Sequence, residues 1–447
     1  MAIEKKLNKA YVLTVDMGYG HQRASYPLHT FAEGGIITAN NYEGIPESDK
    51  KIWMNSRAFY EFISRFKKIP FIGEKVFSLY DKFQEIPIFY PKRDMSKPNF
   101  PLKQIYKFFK NGDWGKHLIK KLAKKPLPLV TTFFATALMA EYFDYPEDIY
   151  CVICDADVSR TWVSLDPHAS RINYLAPCKR VVERLKLYGV PPQRIFLTGF
   201  PLPDENVGLG LKIIKEDLGR RLIQLDPEKI YINSYRETIN EKIGRTNLLL
   251  EPTRPLTITF SVGGAGAQRE MGMSIVKSFK RHIMTEKVKI NLIAGTNVEI
   301  SDYFKAEVKK MGLDHFMHKT IDVIHDNDKT DYFKKFNRVL RDTDVLWTKP
   351  SELTFYSGLG LPIIMCPPIG SQEVFNQRWL ESIGSGIKQD DPQYVNEWIY
   401  DWLNSGWLAE AAMQGFMEAP KYGTYNIKEI IFNKARYVKE VDTVMQF

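Results

Sequence analysis

One segment near the carboxyl-terminal end constrains the fold more than any other: Trp347–Asn376, with the sequence WTKPSELTFYSGLGLPIIMCPPIGSQEVFN. Its pattern predicts the end of a strand, a proline-marked turn, a short helix, a second strand, a glycine loop and a further helix. A helix between two apolar strands is typical of a βαβ unit with parallel strands. The segment therefore predicts an α/β fold.

Polar side chains follow both predicted strands of this segment. In an α/β sheet, the loops after the carboxyl ends of the strands face the ligand crevice. Hydroxyl, carboxylate and amide groups in two such loops indicate a site for a polar, hydroxyl-rich ligand. The candidate binding residues are Lys349, Ser351 and Glu352 in the first loop and Gly370, Ser371, Gln372, Glu373 and Asn376 in the second.

Strand and helix signals alternate over most of the 447 residues, a length that exceeds one ordinary hydrophobic core. We expect two α/β domains with a ligand cleft between them, because ligands bind preferentially at domain interfaces. Aromatic residues at helical spacing, interrupted by prolines, predict a helical insertion in the first domain. The predicted boundaries are 1–203 for the first domain with its insertion at about 47–125, 204–254 for a helical connector, 255–395 for the second domain, and 396–447 for C-terminal helices that pack back across the cleft.

A glycine-rich loop follows the first predicted strand of the second domain, in SVGGAGAQRE (Ser261–Glu270). Gly263, Gly264 and Gly266 let the backbone approach a ligand closely, and free N–H groups at the start of the following helix favour phosphate. The spacing matches neither the dinucleotide fingerprint nor the P-loop. Phosphate binding and a simple strand-to-helix turn both remain open for this loop.

The sequence DMGYGHQRAS (Asp16–Ser25) occupies the equivalent position in the first domain. Its glycines place His21 at the start of a helix, and histidine is the side chain best suited to accept a proton near neutral pH. Asp155 and Asp157 follow a buried strand, where a carboxylate can orient a base or hold an acceptor hydroxyl. Capping or core packing is the alternative for all three residues.

The positive charge of the chain is concentrated in the basic insertion, residues 51–125, which contains 18 Lys and Arg against 6 Asp and Glu. A solvated helical surface over an aromatic core would account for this composition. Nucleic-acid binding is a second interpretation, and attachment to an anionic membrane through amphipathic helices is a third. Because the aromatic residues group with apolar residues at helical spacing, we favour the membrane and expect no nucleic acid.

Composition excludes several classes of protein. An apolar fraction of 44% and a charged fraction of 26% are ordinary for a globular protein. No window approaches the roughly 20 uninterrupted apolar residues that span a bilayer, and the N-terminal apolar run is too short for a signal peptide, so we expect a cytoplasmic protein. Four cysteines form no disulfide framework, and no cluster has metal-ligand spacing, so no catalytic metal is expected.

Together these motifs resemble the GT-B glycosyltransferases, above all the monogalactosyldiacylglycerol synthases and processive diacylglycerol glucosyltransferases, and more distantly the lipid-linked GlcNAc transferase of peptidoglycan synthesis. GYGHQRAS resembles the family's Gly-Gly-His-Arg-Ala-Ser loop, CDADVSRTW its Thr-Asp segment, and VERLKLYGVPPQRIFLTGFPL its helix, loop and strand ending in Gly-x-Pro. SVGGAGAQ resembles the loop at the donor diphosphate, and TKPSELTFYSGLGLPIIMCPPIGSQEVFN resembles the donor-sugar segment.

The resemblance implies two Rossmann-like domains that face a cleft, and it assigns residues to each substrate. One position departs from the family, because Thr354 stands where the family has its ribose-binding glutamate; Glu352, two residues earlier, is the expected substitute. The implied residues are His21, Asp155 and Asp157 at the catalytic site, Gly18, Gly20 and Arg23 in the acceptor loop, Gly263, Gly264, Gly266 and Gln268 at the donor diphosphate, and Gln372, Glu373 and Asn376 near the donor sugar.

The implied activity is inverting, metal-independent transfer of a sugar from a nucleotide diphosphate sugar, which we expect to be UDP-linked, to a lipid or lipid-linked acceptor. No cofactor is expected beyond this donor substrate. The protein would act as a peripheral enzyme on the cytoplasmic face of an anionic membrane. Two alternatives remain open at this stage: a nucleotide-sugar epimerase or hydrolase of the same fold, and a non-catalytic, membrane-associated nucleotide-sugar-binding protein.

Overall fold

The computed structural model describes residues 8–54, 85–261 and 268–435. The chain divides into two compact units. The first comprises the described residues of Met1–Pro201, Gly370–Phe375 and Tyr422–Gln446, and the second those of Leu202–Ile369 and Asn376–Lys421.

The first unit contains a six-stranded sheet in the order β2-β1-β3-β4-β5-β6, and every neighbouring pair is parallel. Parallel neighbours require crossover connections, which helices supply here. The elements are β1 (Ala10–Thr14), α1 (Tyr19–Ser25), β2 (Ala32–Thr38), α2 (Phe100–Gly112), α3 (Lys116–Ala123), β3 (Leu129–Thr131), α4 (Phe134–Tyr142), β4 (Ile149–Val152), β5 (Ile172–Ala176), α5 (Lys179–Leu187) and β6 (Ile195–Leu197).

The second unit contains a second parallel sheet of six strands, in the order β12-β11-β10-β7-β8-β9. The elements are α6 (Asp204–Val207), α7 (Lys212–Leu225), α8 (Ile230–Ser234), α9 (Arg236–Ile243), β7 (Leu256–Ser261), α10 (Arg269–Ser278), α11 (Lys280–Met284), β8 (Val288–Gly295), α12 (Val298–Lys310), β9 (Ile321–His325), α13 (Lys329–Asp342), β10 (Val345–Thr348), β11 (Ile363–Met365), α14 (Ser371–Ser382), β12 (Gly386–Lys388), α15 (Val395–Asn404) and α16 (Trp407–Glu418). The first five residues of α14 and the whole of the last helix, α17 (Gly423–Asn433), belong to the first unit.

Both strand orders are those of Rossmann-like, doubly wound sheets, in which the chain starts in the middle and then reverses direction across the sheet. The reversal lies between β1 and β3 in the first unit and between β7 and β10 in the second. The crevice beyond the carboxyl ends of the strands at this reversal is where such sheets bind ligands. The topology therefore singles out the loops after four strands as the candidate ligand positions.

The strands near each reversal are buried on both faces, as parallel sheets covered by helices require. All six residues of β7, all four of β4 and all five of β5 are buried. The apolar core of the first unit also receives Ile427, Ile430 and Ile431 from α17, which pack with residues of β1 and β3. The last helix of the chain thus belongs to the core of the first unit.

The predicted pattern of Trp347–Asn376 is confirmed. A 3₁₀ helix at Glu352–Leu359 separates β10 from β11, and α14 follows the glycine loop. Two strands were not predicted, β9 and β12. The buried strand expected before Asp155 and Asp157 is β4, which ends at Val152.

The basic insertion is described only in part, because residues 55–84, with the predicted helical positions Phe59, Phe62, Ile63 and Phe66, lie outside the described residues. Residues 47–54 form a helix, as do α2 and α3, and these helices were predicted. Residues 85–99, before α2, form neither helix nor strand. Within the described ranges, no helix is both long and apolar enough to cross a bilayer.

Candidate functional site

The loop after β1 is held in a fixed shape at the strand reversal of the first unit. Asn40 accepts a hydrogen bond from the backbone N–H of Asp16 (2.8 Å), and Gln22 donates to the Asp16 carboxylate (3.2 Å). Gly18, the residue before α1, has φ of 99°, which a side chain would strain. Gly20 lies in the first turn of α1, directly before His21.

The imidazole of His21 contacts the loop after β3, the strand next to β1. Its Nδ1 lies 2.7 Å from the carbonyl oxygen of Thr132. Because a carbonyl can only accept, Nδ1 must carry the proton, and Nε2 is then the proton-accepting nitrogen of the neutral ring. The backbone therefore selects the tautomer that a general base requires.

Aromatic rings fix the orientation of this imidazole. The ring of Phe133 packs edge-on at 4.9 Å between centroids, and Trp162 lies tilted at 6.2 Å. Phe133 is partly exposed and Trp162 is buried. The sequence analysis did not single out Thr132, Phe133 or Trp162, although the first two directly follow β3.

Arg23 differs from the expectation for an acceptor-loop residue. Its side chain is buried, and its guanidinium lies 5.2 Å from the centroid of the Tyr19 ring. This contact stabilises α1 by a cation–π interaction.

The two aspartates of the predicted catalytic site lie in very different environments. Asp157 is fully buried, and both its oxygens accept hydrogen bonds from Arg180 (3.0 Å) and Arg184 (2.8 and 2.9 Å). Burial opposes the charge of Arg184, but the hydrogen bonds and charge of Asp157 outweigh it and raise the pKa of Arg184. Asp157 is thus committed to a structural ion pair, and we do not assign it the role of a base. Asp155 is partly exposed, two residues earlier.

In the second unit, the strands β7 and β10 end side by side at the strand reversal. Ser261 pairs with Thr348 at the ends of these strands, and the Thr348 hydroxyl donates to the Ser261 carbonyl (3.4 Å). Gly263, Gly264 and Gly266 lie outside the described residues. Gln268 directly precedes α10, and its amide oxygen is buried without a hydrogen-bond partner in the part of the chain that the structure describes.

The loop after β10 contains the first group of predicted donor residues. Lys349 and Ser351 are partly exposed, whereas Glu352 is buried at the start of the 3₁₀ helix. Thr354 is fully buried, and its hydroxyl donates to the Ser351 carbonyl (2.8 Å). This bond closes the helical turn, so Thr354 acts in local structure and Glu352 stays the candidate for a ribose contact.

The second predicted group lies at the start of α14, after β11. Gly370, Ser371, Gln372 and Glu373 are partly exposed and belong to the first unit. Asn376 belongs to the second unit, is fully buried, and donates from its amide to the Pro350 carbonyl (3.4 Å). Asn376 therefore links α14 to the turn after β10.

The described residues contain no group of three or more His, Cys, Asp or Glu side chains arranged to hold a metal ion. Cys151 and Cys154, which are spaced as C-x-x-C, are both buried thiols. Burial raises the pKa of the Cys151 thiol far above its usual range.

The fold and the candidate sites define a class of protein. Each unit is a Rossmann-like domain. Two such domains are the architecture of the predicted GT-B fold, and this prediction of the fold class is confirmed. The described acceptor-loop residues follow β1, and the described donor residues follow β7, β10 and β11. Of these four strands, all but β11 lie at a reversal.

Comparisons with known proteins give one family match and several structural likenesses. A family model described as a domain of unknown function (DUF6938) matches residues 236–430. No curated protein matches the sequence. Among solved structures, the chain is similar to Staphylococcus aureus MnaA in a UDP co-structure, with 13% identity, TM-score 0.48 and coverage of 97% of this chain and 99% of that one.

Two further solved structures are similar to this chain to about the same degree. UDP-GlcNAc 2-epimerase from Neisseria meningitidis, bound to UDP-GlcNAc, has 14% identity and a TM-score of 0.42, with coverage of 80% of this chain and 87% of that one. Anabaena Alr3699/HepE in complex with UDP has 9% identity and a TM-score of 0.41, with coverage of 95% and 99%.

Proposed function

We propose that this protein is an inverting glycosyltransferase that moves a sugar from a UDP-linked donor to a lipid or lipid-linked acceptor at a membrane surface, as in the diacylglycerol glycosyltransferases that its motifs resemble. One observation carries the proposal. The three segments whose sequences resemble a donor site follow β7, β10 and β11, and these strands are neighbours in one sheet. The reversal between β7 and β10 is the position where Rossmann-like sheets bind nucleotides.

The donor would be held by groups of complementary charge. The N-terminus of α10 and the glycine loop before it would stabilise the departing diphosphate, because free N–H groups and the helix dipole favour negative charge. Lys349 would add a positive charge from the neighbouring loop, and Glu352 would accept from the ribose hydroxyls. In this scheme no metal ion is needed at the diphosphate.

The acceptor hydroxyl would be activated by His21. Its Nε2 would take the proton as the oxygen attacks the anomeric carbon, and the Thr132 carbonyl would stabilise the resulting imidazolium through Nδ1–H. Direct attack opposite the leaving diphosphate forms the new C–O bond as the old one breaks, and so inverts the configuration. Asp155 stays a predicted contact for the acceptor.

Donor binding can be tested without an acceptor. A nucleotide diphosphate sugar that binds only the folded chain raises its thermal midpoint by mass action. We expect Glu352→Gln to weaken the binding of UDP-sugars about ten- to a hundredfold, the effect of removing a hydrogen bond to a charged group. Glu307→Gln, which alters a surface pair with Lys310, is the control. Equal affinity of wild type and Glu352→Gln for every donor would remove Glu352 from the site.

The membrane contact can be tested on α2, where Phe100 and Phe108 are 62% and 47% exposed among exposed lysines. Anionic lipids attract such surfaces at low salt. We expect the wild type to float with vesicles that contain anionic lipid, and Phe100→Ser with Phe108→Ser to reduce the bound fraction severalfold. Leu209→Ser, at a leucine that is 99% exposed in the second unit, should bind like the wild type. Failure of the wild type to float at low salt would contradict membrane attachment.

A further inference from the structure

Arg160 is a buried cation without an acidic partner in the described part of the chain. Its side chain is 4% exposed, and its guanidinium donates only to backbone carbonyls. Burial lowers its pKa, although nearby tyrosines oppose this shift. Burying a charge with only dipoles to compensate is costly. This arrangement indicates that the fold requires several N–H donors at this position, in the fixed geometry that a guanidinium provides.

The four hydrogen bonds of Arg160 join two segments of the first unit. Nε and Nη2 donate to the carbonyl of Ser96 (2.9 and 2.7 Å), which lies within the basic insertion, in the segment 85–99 before α2. Nη1 and Nη2 donate to the carbonyls of Val163 and Ser164 (2.7 and 2.9 Å), directly after the 3₁₀ turn Arg160–Trp162. One side chain therefore fastens this turn to the segment 85–99 of the insertion.

The turn that Arg160 fastens contains Trp162, whose indole packs beside the imidazole of His21. Trp162 also contacts Phe134 at 5.3 Å, and its carbonyl accepts from the Tyr174 hydroxyl (3.2 Å). The chain of contacts from Ser96 through Arg160 and Trp162 to His21 is continuous.

The start of the basic insertion contacts the same group of rings. Trp53 packs on Phe133 at 6.0 Å, and Phe133 packs on His21 at 4.9 Å. Two described parts of the insertion, at Trp53 and at Ser96, are therefore connected to the rings that hold His21.

We propose that Arg160 is a positioning residue, which holds Trp162 against His21 and so couples the segment 85–99 of the basic insertion to the orientation of the base. The importance of this orientation for turnover rests on the proposed function. Without the backing of Trp162, the imidazole can rotate away from the Thr132 carbonyl. The Nδ1–H tautomer then loses the hydrogen bond that selects it, and the Nε2–H form, which cannot accept a proton at Nε2, becomes populated.

Arg160→Lys tests this coupling, because lysine keeps the charge but cannot reproduce the fork of four hydrogen bonds. Nitrogen-15 NMR of histidine-labelled full-length protein reports the tautomer of His21 directly, with the His21→Asn variant to assign its signals. We expect the Nδ1–H form in the wild type and a measurable fraction of Nε2–H in Arg160→Lys. In turnover assays, kcat should fall about ten- to a hundredfold, as for a misplaced catalytic group, with an unchanged KM for the donor.

Arg194→Lys is the matched control, since Arg194 donates to the side chain of Asn173 in β5 (3.1 Å) and, among the described residues, forms no hydrogen bond with the loops around His21. If Arg160→Lys does not fold, Trp162→Phe should show the same tautomer change. A His21 that keeps the pure Nδ1–H form in a folded Arg160→Lys or Trp162→Phe variant would overturn the proposal. A wild type with this tautomer but no sugar transfer would contradict only the proposed function.

Discussion

Replacement of His21 by asparagine is expected to lower kcat for sugar transfer by about a hundred- to ten-thousandfold, the usual contribution of general base catalysis. Asparagine retains a donor near the position of Nδ1, so the contact with the Thr132 carbonyl can persist while the proton-accepting Nε2 is lost. Donor binding should be unchanged, because His21 follows β1 of the first sheet, whereas the predicted donor segments follow β7, β10 and β11 of the second sheet. Steady-state rates at saturating donor and acceptor, with thermal shifts for donor affinity, measure both quantities.

His29 is the matched control for this replacement. Its Nδ1 also contacts a backbone carbonyl, that of Tyr26 (2.7 Å), but its side chain is exposed on the turn after α1. His29→Asn should leave kcat close to that of the wild type. A His21→Asn variant with an undiminished rate would remove the imidazole from the mechanism and leave Asp155 as the candidate base.

Asp157→Asn is expected to destabilise the fold by about 3–5 kcal/mol, the cost of breaking a buried ion pair from one side. Asparagine has almost the same volume as aspartate, so the loss of stability comes from the removed charge alone. Arg184 is fully buried and Arg180 nearly so, and both would remain charged with a neutral amide as their partner. In a urea titration, the decrease in the midpoint of the first unfolding transition measures this loss of stability.

Asp331→Asn provides the comparison, because Asp331 forms an ion pair with Lys334 in which both side chains are more than half exposed. Exposed pairs contribute at most about 1 kcal/mol, so the midpoint should barely change. If Asp157→Asn keeps full stability but loses turnover, the carboxylate acts in catalysis and the structural assignment is wrong.

The fold was predictable where local sequence and global topology agree. The pattern of Trp347–Asn376 predicts every element between β10 and α14, because turn residues and apolar runs alternate sharply there. The end of α5 was predictable in the same way: Gly189 has φ of 86° and prolines follow it, a combination that stops a helix. These signals depend only on neighbouring residues.

The missed strands have weaker local signals. β12 has three residues, and β9 is a half-buried edge strand that contains Asp322 and ends at His325. Edge strands need no continuous apolar run, because one side is unpaired and charge there opposes aggregation. These two segments become strands because they pair with the neighbouring strands, β12 with β11 and β9 with β8.

The candidate site was predictable in position but not in the roles of its residues. Polar residues after strands can be found from sequence, and His21 was found in this way. The partners of Asp157 lie 23 and 27 residues later in the chain, so its burial in an ion pair has no local signature. The same holds for the Thr132 carbonyl, a backbone group that the fold brings to His21.

The most direct test of the proposed function is UDP release by the purified full-length protein, measured with a panel of UDP-sugars in the presence and absence of anionic vesicles that contain diacylglycerol. We predict that release requires the vesicles, persists in EDTA, and gives a glycolipid whose anomeric configuration is opposite to that of the donor. Isomerisation or hydrolysis of the donor without vesicles, or donor binding with no turnover on any acceptor, would contradict sugar transfer to a lipid.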